Sequence, residues 1–159
     1  MCTVRYIPSE RRSIVTANRD EAPFRNADGL VSYFNQSKEE FLIAQEPVHG
    51  GTNLAVGKEI TSVLLNGAFV SHERRLSYRK SRGIILLDSL NLNSLSSFEI
   101  SDLDGVEPFT LLRFGNSIEE LRWDESKIHF RQRELDLPFI VASAKLYSAE
   151  VLEKRQFWF

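Results

Sequence analysis

Cysteine at position 2 is the residue of this chain best suited to covalent chemistry, because it is the only cysteine and directly follows Met1. Aminopeptidases that remove an initiator Met act when the next side chain is small, and Cys meets that condition. Removal of Met1 would leave a thiol beside an α-amino group with a pKa of about 7.7–8.0. That amine can accept the thiol proton, so one residue supplies both nucleophile and base. Taken alone, the position and residue type favour a small buried residue at the start of a strand.

A dense polar run directly follows an apolar segment, at the point where a sheet delivers side chains to a site. The run is Asn18, Arg19, Asp20 and Glu21. Arg19 could anchor a thiolate or a substrate carboxylate through its planar guanidinium. Asp20 could hold the N-terminal amine or a substrate amide. A charged turn before Pro23 explains the same residues, and this run alone favours the turn.

Two further stretches could supply polar groups to a pocket. The paired glycines of Gly50, Gly51 and Thr52 permit close backbone approach and positive φ, which would expose backbone N–H groups, although such a pair usually forms a turn. Asn66 ends an apolar run, where its amide could donate to a developing oxyanion. A turn formed by Asn66 and Gly67 is equally consistent with that stretch.

Other kinds of catalytic or metal site find little support in the residues. The three His, at 49, 72 and 129, have no helical spacing, and one Cys cannot form a thiolate cluster. Neither a phosphate-binding loop nor a Gly-x-Ser-x-Gly element is present. The sequence therefore predicts no metal site.

Composition narrows the class of protein. The 159 residues are 42% hydrophobic, which predicts one domain over 1–159 with a sizeable core. A net charge of -2 provides no basic field for nucleic acid. No apolar run approaches the roughly 18 residues of a membrane span, and Arg5 and Pro8 interrupt any signal-peptide pattern. We expect a cytoplasmic protein that acts on a small molecule; the sequence leaves its oligomeric state undetermined.

Hydrophobic patterning predicts mainly antiparallel strands, interrupted by helices. Leu121 and Trp123 alternate with charged residues, which is typical of a half-buried strand. The apolar spacing of 81–100 predicts one or two helices, with Asn93 or Ser94 as cap of the second. A further helix is predicted over 148–159. Strands are predicted within 2–7, 12–18, 25–34, 41–47, 49–66 as a hairpin, 108–115, 117–124, 127–134 and 138–144. The overall pattern is that of an α+β protein.

Several motifs occur together and in the order of one known family. They are "MC" at the start, "ANRDE" at 17–21, "GGT" at 50–52, "LLNGAF" at 64–69, "SRG" at 81–83, "PFTLL" at 108–112 and "SAKLYSAEV" at 143–151. The chain thereby resembles the NRDE family, also called the transport and Golgi organization 2 family. "ANRDE" combined with a Cys at position 2 is the most specific of these matches.

This resemblance implies a fold and a set of catalytic residues. The fold is an Ntn-hydrolase-like αββα sandwich of mainly antiparallel sheets. By similarity to bile-salt hydrolases and penicillin acylases, Cys2 would be the nucleophile, Arg19 and Asp20 would follow the second strand, and Asn66 would help to form the oxyanion hole. Those relatives place residues between the Arg and the Asp, whereas here the two are adjacent.

The remaining motif residues are predicted to bind substrate: Asn18, Glu21, Gly50, Gly51 and Thr52. The chain departs from the family at Asn53, where Trp is usual. Family members are also commonly longer, which leaves open whether the last layer of the sandwich is complete at the C-terminus.

Two functions follow from the resemblance. The first is a cysteine amidohydrolase that cleaves a linear amide or acyl bond without a cofactor. The second is a non-catalytic protein that handles haem, acyl-CoA or lipid ligands. No Cys-x-x-Cys-His motif is present, and any of the three His could serve as an axial haem ligand.

Overall fold

Ten strands and two short helices make up the part of the chain that the structure, a computed structural model, describes. That part comprises residues 2–10, 13–18, 29–47, 50–73, 75–144 and 154. The elements are β1 (Thr3–Ile7), β2 (Ile14–Asn18), β3 (Val31–Phe34), β4 (Glu40–Gln45), β5 (Thr52–Gly57), β6 (Thr61–Asn66), α1 (Arg82–Ser89), a 3-10 turn (Leu95–Ser97), α2 (Ile100–Leu103), β7 (Phe109–Phe114), β8 (Ile118–Trp123), β9 (Ile128–Arg133) and β10 (Phe139–Ala142).

The strand predictions are confirmed, because each predicted segment contains a strand. The 49–66 segment forms the expected hairpin of β5 and β6, and the Gly57 N–H donates to the Ile60 carbonyl at 2.8 Å to close it. The three segments between 108 and 134 form the consecutive strands β7, β8 and β9. Alternating apolar residues and turn residues were sufficient to locate these elements.

The strands form two antiparallel sheets. The large sheet has the order β3-β4-β5-β6-β7-β8-β9, and the small sheet has the order β10-β1-β2. Strand order in the large sheet follows chain order, and the long connection between β6 and β7 carries both helices. In the small sheet, Thr3 of β1 lies opposite Ala142 of β10 and Asn18 of β2.

Two hydrophobic clusters lie between the layers of the fold, which are the small sheet, the large sheet and the helices. One lies between the small sheet and the central strands of the large sheet, and the other lies between the large sheet and the helices. Burial of each large apolar side chain contributes about 1.5–3 kcal/mol, so both interfaces hold the layers firmly. The first cluster contains Cys2, Val4, Tyr6, Val63, Leu65, Leu112, Phe114, Ile118 and Val141. The second includes Phe41, Ile43, Leu64, Ile85, Leu86, Leu95, Leu103, Phe109, Leu111, Leu121 and Trp123.

The expected αββα sandwich is wrong. The fold is dominated by antiparallel sheet, and within the described residues helices cover only one face of the large sheet. The outer face of the small sheet instead carries exposed Ile7 and Ile14, which lie opposite each other on β1 and β2. The predicted helix over 148–159 falls outside the described residues, apart from position 154.

The helices are also shorter than the periodicity of 81–100 suggested. Helix α1 confirms the first predicted helix. Ser94 does cap the next element, but that element is only a three-residue 3-10 turn. The Ser94 hydroxyl accepts the Ser96 N–H at 3.1 Å. The turn ends at Phe98, whose backbone is extended, and Glu99 then forms a capping box with Asp102 at the start of α2.

Helix α1 is held at both ends. The Ser81 hydroxyl accepts the Ile84 N–H at 3.3 Å and caps the first turn. At the other end, the buried Arg113 guanidinium of β7 donates to the carbonyl oxygens of Ser89 and of Leu92, the latter at 2.9 Å. A cation is favourable at a helix C-terminus because it binds carbonyl groups that have no partner within the helix. These contacts fix the helix over the large sheet.

Strand β8 is buried on both faces, so the prediction of a half-buried strand was wrong. Leu121 and Trp123 face the helices, as their hydrophobicity requires. The two charged residues before them are buried as well, since Glu119 is 5% and Glu120 is 1% exposed, and Arg122 between them is partly buried. Because β8 lies between two paired strands under a second sheet, its charges need partners inside the protein.

Glu120 finds those partners on the face toward the small sheet. Its carboxylate accepts hydrogen bonds from Arg122 at 2.6 Å, from Arg131 at 2.9 Å, and from Arg133. Burial raises the pKa of Glu120, but Arg122 and Arg133 lower it more, so the pKa lies below its ordinary value. The carboxylate is therefore charged in the folded state at neutral pH.

We expect Glu120→Gln to reduce the free energy of unfolding by about 3 kcal/mol, because it leaves the partly buried guanidinium groups of Arg122 and Arg133 without their counter-charge. Urea denaturation at pH 7 measures the change. Glu59→Gln is the control, since Glu59 pairs with Lys58 on the surface with side chains 77% and 93% exposed. An equal effect of the two substitutions would contradict the buried ion network.

The lowered pKa of Glu120 predicts that the destabilisation caused by Glu120→Gln depends on pH. A depressed carboxyl pKa gives stability that is complete above the unfolded pKa of about 4.3 and is lost as the pH falls through the folded pKa. The difference in unfolding free energy between wild type and Glu120→Gln should therefore shrink at acid pH. A difference that grows on acidification would show that the pKa is raised instead.

Candidate functional site

Cys2 lies directly before β1, on the inner face of the small sheet. Its side chain is buried with Val4 in the cluster between the two sheets, and the residue is 6% exposed. Extending the β1–β10 register by one pair places Ser143 opposite Cys2, and the Ser143 N–H donates to the Cys2 carbonyl at 3.0 Å. Opposed residues of antiparallel strands share a face, so the Ser143 side chain is a neighbour of the thiol.

Asn66, in the large sheet, lies close to the end of β10 and so to Cys2. It ends β6, and its carbonyl accepts the Ala144 N–H at 3.2 Å. The consecutive residues Ser143 and Ala144 therefore join Cys2 of the small sheet to Asn66 of the large sheet. Two predicted catalytic residues, 64 positions apart in the chain, are brought to one corner of the fold.

The side chains of Cys2 and Asn66 leave this corner in different directions. Cys2 packs in the cluster that contains Leu65, between the sheets. Asn66 alternates with Leu65 and so shares the face of Leu64, which packs against the helices. The end of strand β6 thus lies between the thiol and the amide.

A cavity of about 600 Å³ opens on the Asn66 side. Its walls come from the start of β5, the end of β6, the first turn of α1 and the segment 75–82. Four sequence-predicted or family-variable positions line it: Gly51, Thr52, Asn53 and Asn66. The Asn66 side-chain amide has no hydrogen-bond partner among the residues that the structure describes. Such an amide can donate to a ligand in the cavity.

The glycines at 50 and 51 use two freedoms that glycine provides, and the Gly50 N–H donates to the Glu46 carbonyl at 2.9 Å. Gly50 has φ +68, and an added Cβ on Gly51 would lie 3.0 Å from the Gly83 backbone. Conversely, a Cβ on Gly83 would lie only 2.7 Å from the Thr52 backbone nitrogen. The first turn of α1 therefore crosses the start of β5 with backbone against backbone, which only glycine permits.

Thr52 and Asn18 have surroundings that bear on their predicted substrate-binding role. The Thr52 hydroxyl lies 3.0 Å from the Ala44 carbonyl and 2.8 Å from the Leu54 carbonyl, so it is engaged within the sheet. Asn18 is exposed at the end of β2 and does not line the cavity. Substrate binding by Asn18, Gly50, Gly51 and Thr52 stays a prediction. Arg19, Asp20 and Glu21 lie outside the described residues.

Ser143 is a candidate that the sequence analysis missed. The residue is 1% exposed, and its hydroxyl has no hydrogen-bond partner within the described part of the chain. A buried hydroxyl without a partner is uncommon and calls for an explanation such as a ligand or an ordered water. Its sequence signals were its place at the end of a predicted strand and at the start of the "SAKLYSAEV" motif, to which no site role was given.

The basic segment 74–82 was also missed. Five of its nine residues are Lys or Arg, although the whole chain has a net charge of -2. Arg75, Arg79, Lys80 and Arg82 line the cavity. Arg79 is fixed by donating to the carbonyls of Asp102 at 2.6 Å and Asp104 at 2.8 Å. A count of charge along the chain would have found this segment.

Glu107 supplies a buried carboxylate at the cavity wall. It is 8% exposed and lies 3.2 Å from Arg82 and 3.1 Å from the His72 imidazole. His129, in turn, contacts Asp124 at 2.6 Å. Neither His72 nor His129 lines the cavity, and His49 lies outside the described residues. Across the described ranges, no group of three or more His, Cys, Asp or Glu is arranged to hold a metal ion.

Comparison with known proteins adds no relative. A scan against models of protein families found no match, and a search of curated proteins found no similar sequence. In the part of the chain that the structure describes, no helix has the length and apolar character needed to cross a membrane. The functional argument therefore depends on the residues themselves.

We expect Gly83→Ala to destabilise the protein, although Gly to Ala inside a helix ordinarily stabilises by about 0.5–1 kcal/mol. The reason is the 2.7 Å approach of the new Cβ to the Thr52 nitrogen, which forces α1 away from β5. Thermal unfolding, with circular dichroism to confirm folding, measures the effect. An unchanged or raised midpoint would show that the backbones do not approach so closely.

Proposed function

We propose that this protein is an N-terminal cysteine hydrolase of the NRDE family that cleaves a linear amide or acyl bond. The observation that carries the proposal is the corner where Ser143 and Ala144 join Cys2 to Asn66. The motifs at positions 2 and 64–69 converge there beside a cavity large enough for a small substrate. The proposed setting is the cytoplasm, where a single cysteine stays reduced.

The reaction begins once Met1 has been removed. The α-amino group of Cys2 takes the thiol proton, and the thiolate attacks the substrate carbonyl. The tetrahedral intermediate collapses to a thioester while the amine passes its proton to the leaving group. Water then attacks the thioester, which releases the carboxylic acid and restores the thiol.

Two groups are suited to assist this chemistry. The Asn66 amide can donate to the oxyanion if its side chain turns around the end of β6 toward the thiol. The Ser143 hydroxyl lies on the same face as the thiol and can bind the amine or the oxyanion directly. That hydroxyl lacks a partner among the described residues, so it gives up no hydrogen bond to act.

The alternative of haem binding has less support. Of the three predicted axial ligands, His72 and His129 contact carboxylates and do not line the cavity. No contact of the described residues favours a haem, acyl-CoA or lipid ligand over a hydrolase substrate.

The nucleophile is tested by comparing forms with and without Met1. We expect the protein from its native cell to begin at Cys2, and that form to hydrolyse members of a panel of N-acyl aminocoumarin amides. Intact mass and fluorescence measure the two properties. Cys2→Ala should abolish turnover. A form that retains Met1 has the same thiol without the free amine and should be inactive, so equal activity of the two forms would refute the mechanism.

The oxyanion role of Asn66 predicts a kinetic signature. We expect Asn66→Ala to lower kcat by about 10²–10³-fold with little change in KM, because the interaction is made in the transition state. Asn53→Ala is the matched control, since Asn53 lines the same cavity. Equal losses for the two variants would assign Asn66 to general substrate binding instead.

A further inference from the structure

The cavity has a positive lining in a chain whose net charge is -2. Among the residues that the structure describes, the cations of the lining are Arg75, Arg79, Lys80 and Arg82, and the carboxylates are Glu46 and Glu107, so cations outnumber carboxylates there. We propose that the cavity is a binding site for a small molecule that carries an anionic oxygen group, a carboxylate or a phosphate.

Glu107 does not oppose such a ligand. Its carboxylate is buried and lies between Arg82 and His72, at 3.2 and 3.1 Å. A buried carboxylate needs a close counter-charge, so Arg82 is committed to Glu107. The cations that remain for a ligand are Arg75, Arg79 and Lys80.

Arg79 keeps its full charge available. Its guanidinium donates to the backbone carbonyls of Asp102 and Asp104, which fix its position without neutralising it. Within the described ranges, no carboxylate lies in salt-bridge distance of Arg79. The next residue, Lys80, forms a parallel bridge with Val106, so the backbone of this part of the segment is fixed before any ligand arrives.

The other two cations each contact a protein carboxylate. Lys80 contacts Asp88 at 2.7 Å, with side chains 35% and 42% exposed. Arg75 contacts Glu125 at 3.3 Å, with side chains 59% and 23% exposed. Exposed ion pairs contribute roughly 0–1 kcal/mol, so a ligand anion can replace Asp88 on Lys80 at little cost. Arg75 can bind a ligand anion while it keeps its contact with the more buried Glu125, because a guanidinium carries five donors.

The shape of the site selects a small molecule. The cavity volume of about 600 Å³ lies within the range typical of metabolite pockets. Among the described residues of the lining, the positive charges all belong to the segment 75–82. If the anion is the hydrolase substrate, the inference rests on the proposed function, and the anionic group would bind the segment 75–82 while the scissile bond reaches Asn66. The existence of an anion-binding site does not depend on that function.

The test is calorimetric titration of the full chain with three probes: glutarate, inorganic phosphate and the neutral isostere glutaramide. We expect at least one anion to bind at least about 10-fold more tightly than glutaramide, with affinity that falls as salt is added. Glutarate or phosphate as the tighter probe identifies the carboxylate or phosphate class. Binding of neither anion up to about 10 mM, or equal affinity for glutaramide, would overturn the proposal.

Charge variants locate the site. The double variant Arg75→Gln, Lys80→Gln should weaken anion binding at least about 10-fold. Asp88→Asn should strengthen it, because it removes the carboxylate that competes for Lys80. Arg5→Gln is the control, an exposed residue of β1 that does not line the cavity. An equal loss with Arg5→Gln, or no gain with Asp88→Asn, would show that the anion binds elsewhere.

The same titrations on Cys2→Ser separate the two proposals. Anion binding should be unchanged in that variant, because Cys2 does not line the cavity. If the wild-type protein without Met1 binds the anion but hydrolyses no amide of the panel, the hydrolase is refuted and the anion site remains supported. Hydrolysis of neutral and anionic amides at equal kcat/KM, without anion binding, would refute the anion site alone.

Discussion

The backbone contact between Gly51 and Gly83 is the constraint on which the candidate site depends. It sets the height of α1 above β5, and the cavity lies beside this crossing. The buried Arg113 holds the other end of the helix by its carbonyl groups. With both ends fixed, the segment that precedes α1 has no freedom to move inward. Its basic side chains consequently line an open space instead of packing against the sheet.

The large sheet combines this apolar packing with buried charge. Arg113 faces the helices, whereas Glu120 of the adjacent strand faces the small sheet. Each is nearly inaccessible to water, and each has charged or polar partners inside the protein. Burial lowers the pKa of Arg113, while nearby Glu119 opposes that shift. The hydrogen bonds of Arg113 are directional and join the sheet to the helix layer, whereas those of Glu120 join the neighbouring strands β8 and β9.

The sequence was sufficient to place the strands, because alternation and turn residues are local properties. It was not sufficient to predict how the sheets and helices are layered. Charges in β8 look solvent-facing in the sequence, and only cross-strand partners such as Arg131 and Arg133 show why Glu120 is buried. The sandwich implied by family resemblance predicted helices that the described residues do not provide. The extended backbone at Phe98 separates the 3-10 turn from α2, and spacing alone does not reveal this break.

Some features of the candidate site could be predicted from the sequence and others could not, because only some of them depend on local residue type. Positive φ at Gly50 and close approach at Gly51 follow from residue type, whereas the identity of the partner, Gly83, depends on the tertiary fold. Cys2 and Asn66 were expected to cooperate, and their shared corner could not be derived from their spacing. The basic segment 74–82 was visible in the sequence, but the small net charge of the whole chain concealed it.

The two hydrogen bonds at Ser143 and Ala144 have a mechanical consequence. The Ser143 bond continues the pairing of β10 with β1 inside the small sheet, whereas the Ala144 bond crosses to Asn66 of the large sheet. Translation of one sheet past the other at this corner therefore has to break the Ala144 bond. Because Cys2 and Asn66 are joined through these two consecutive residues, a shift of one sheet changes their separation only after that bond has broken.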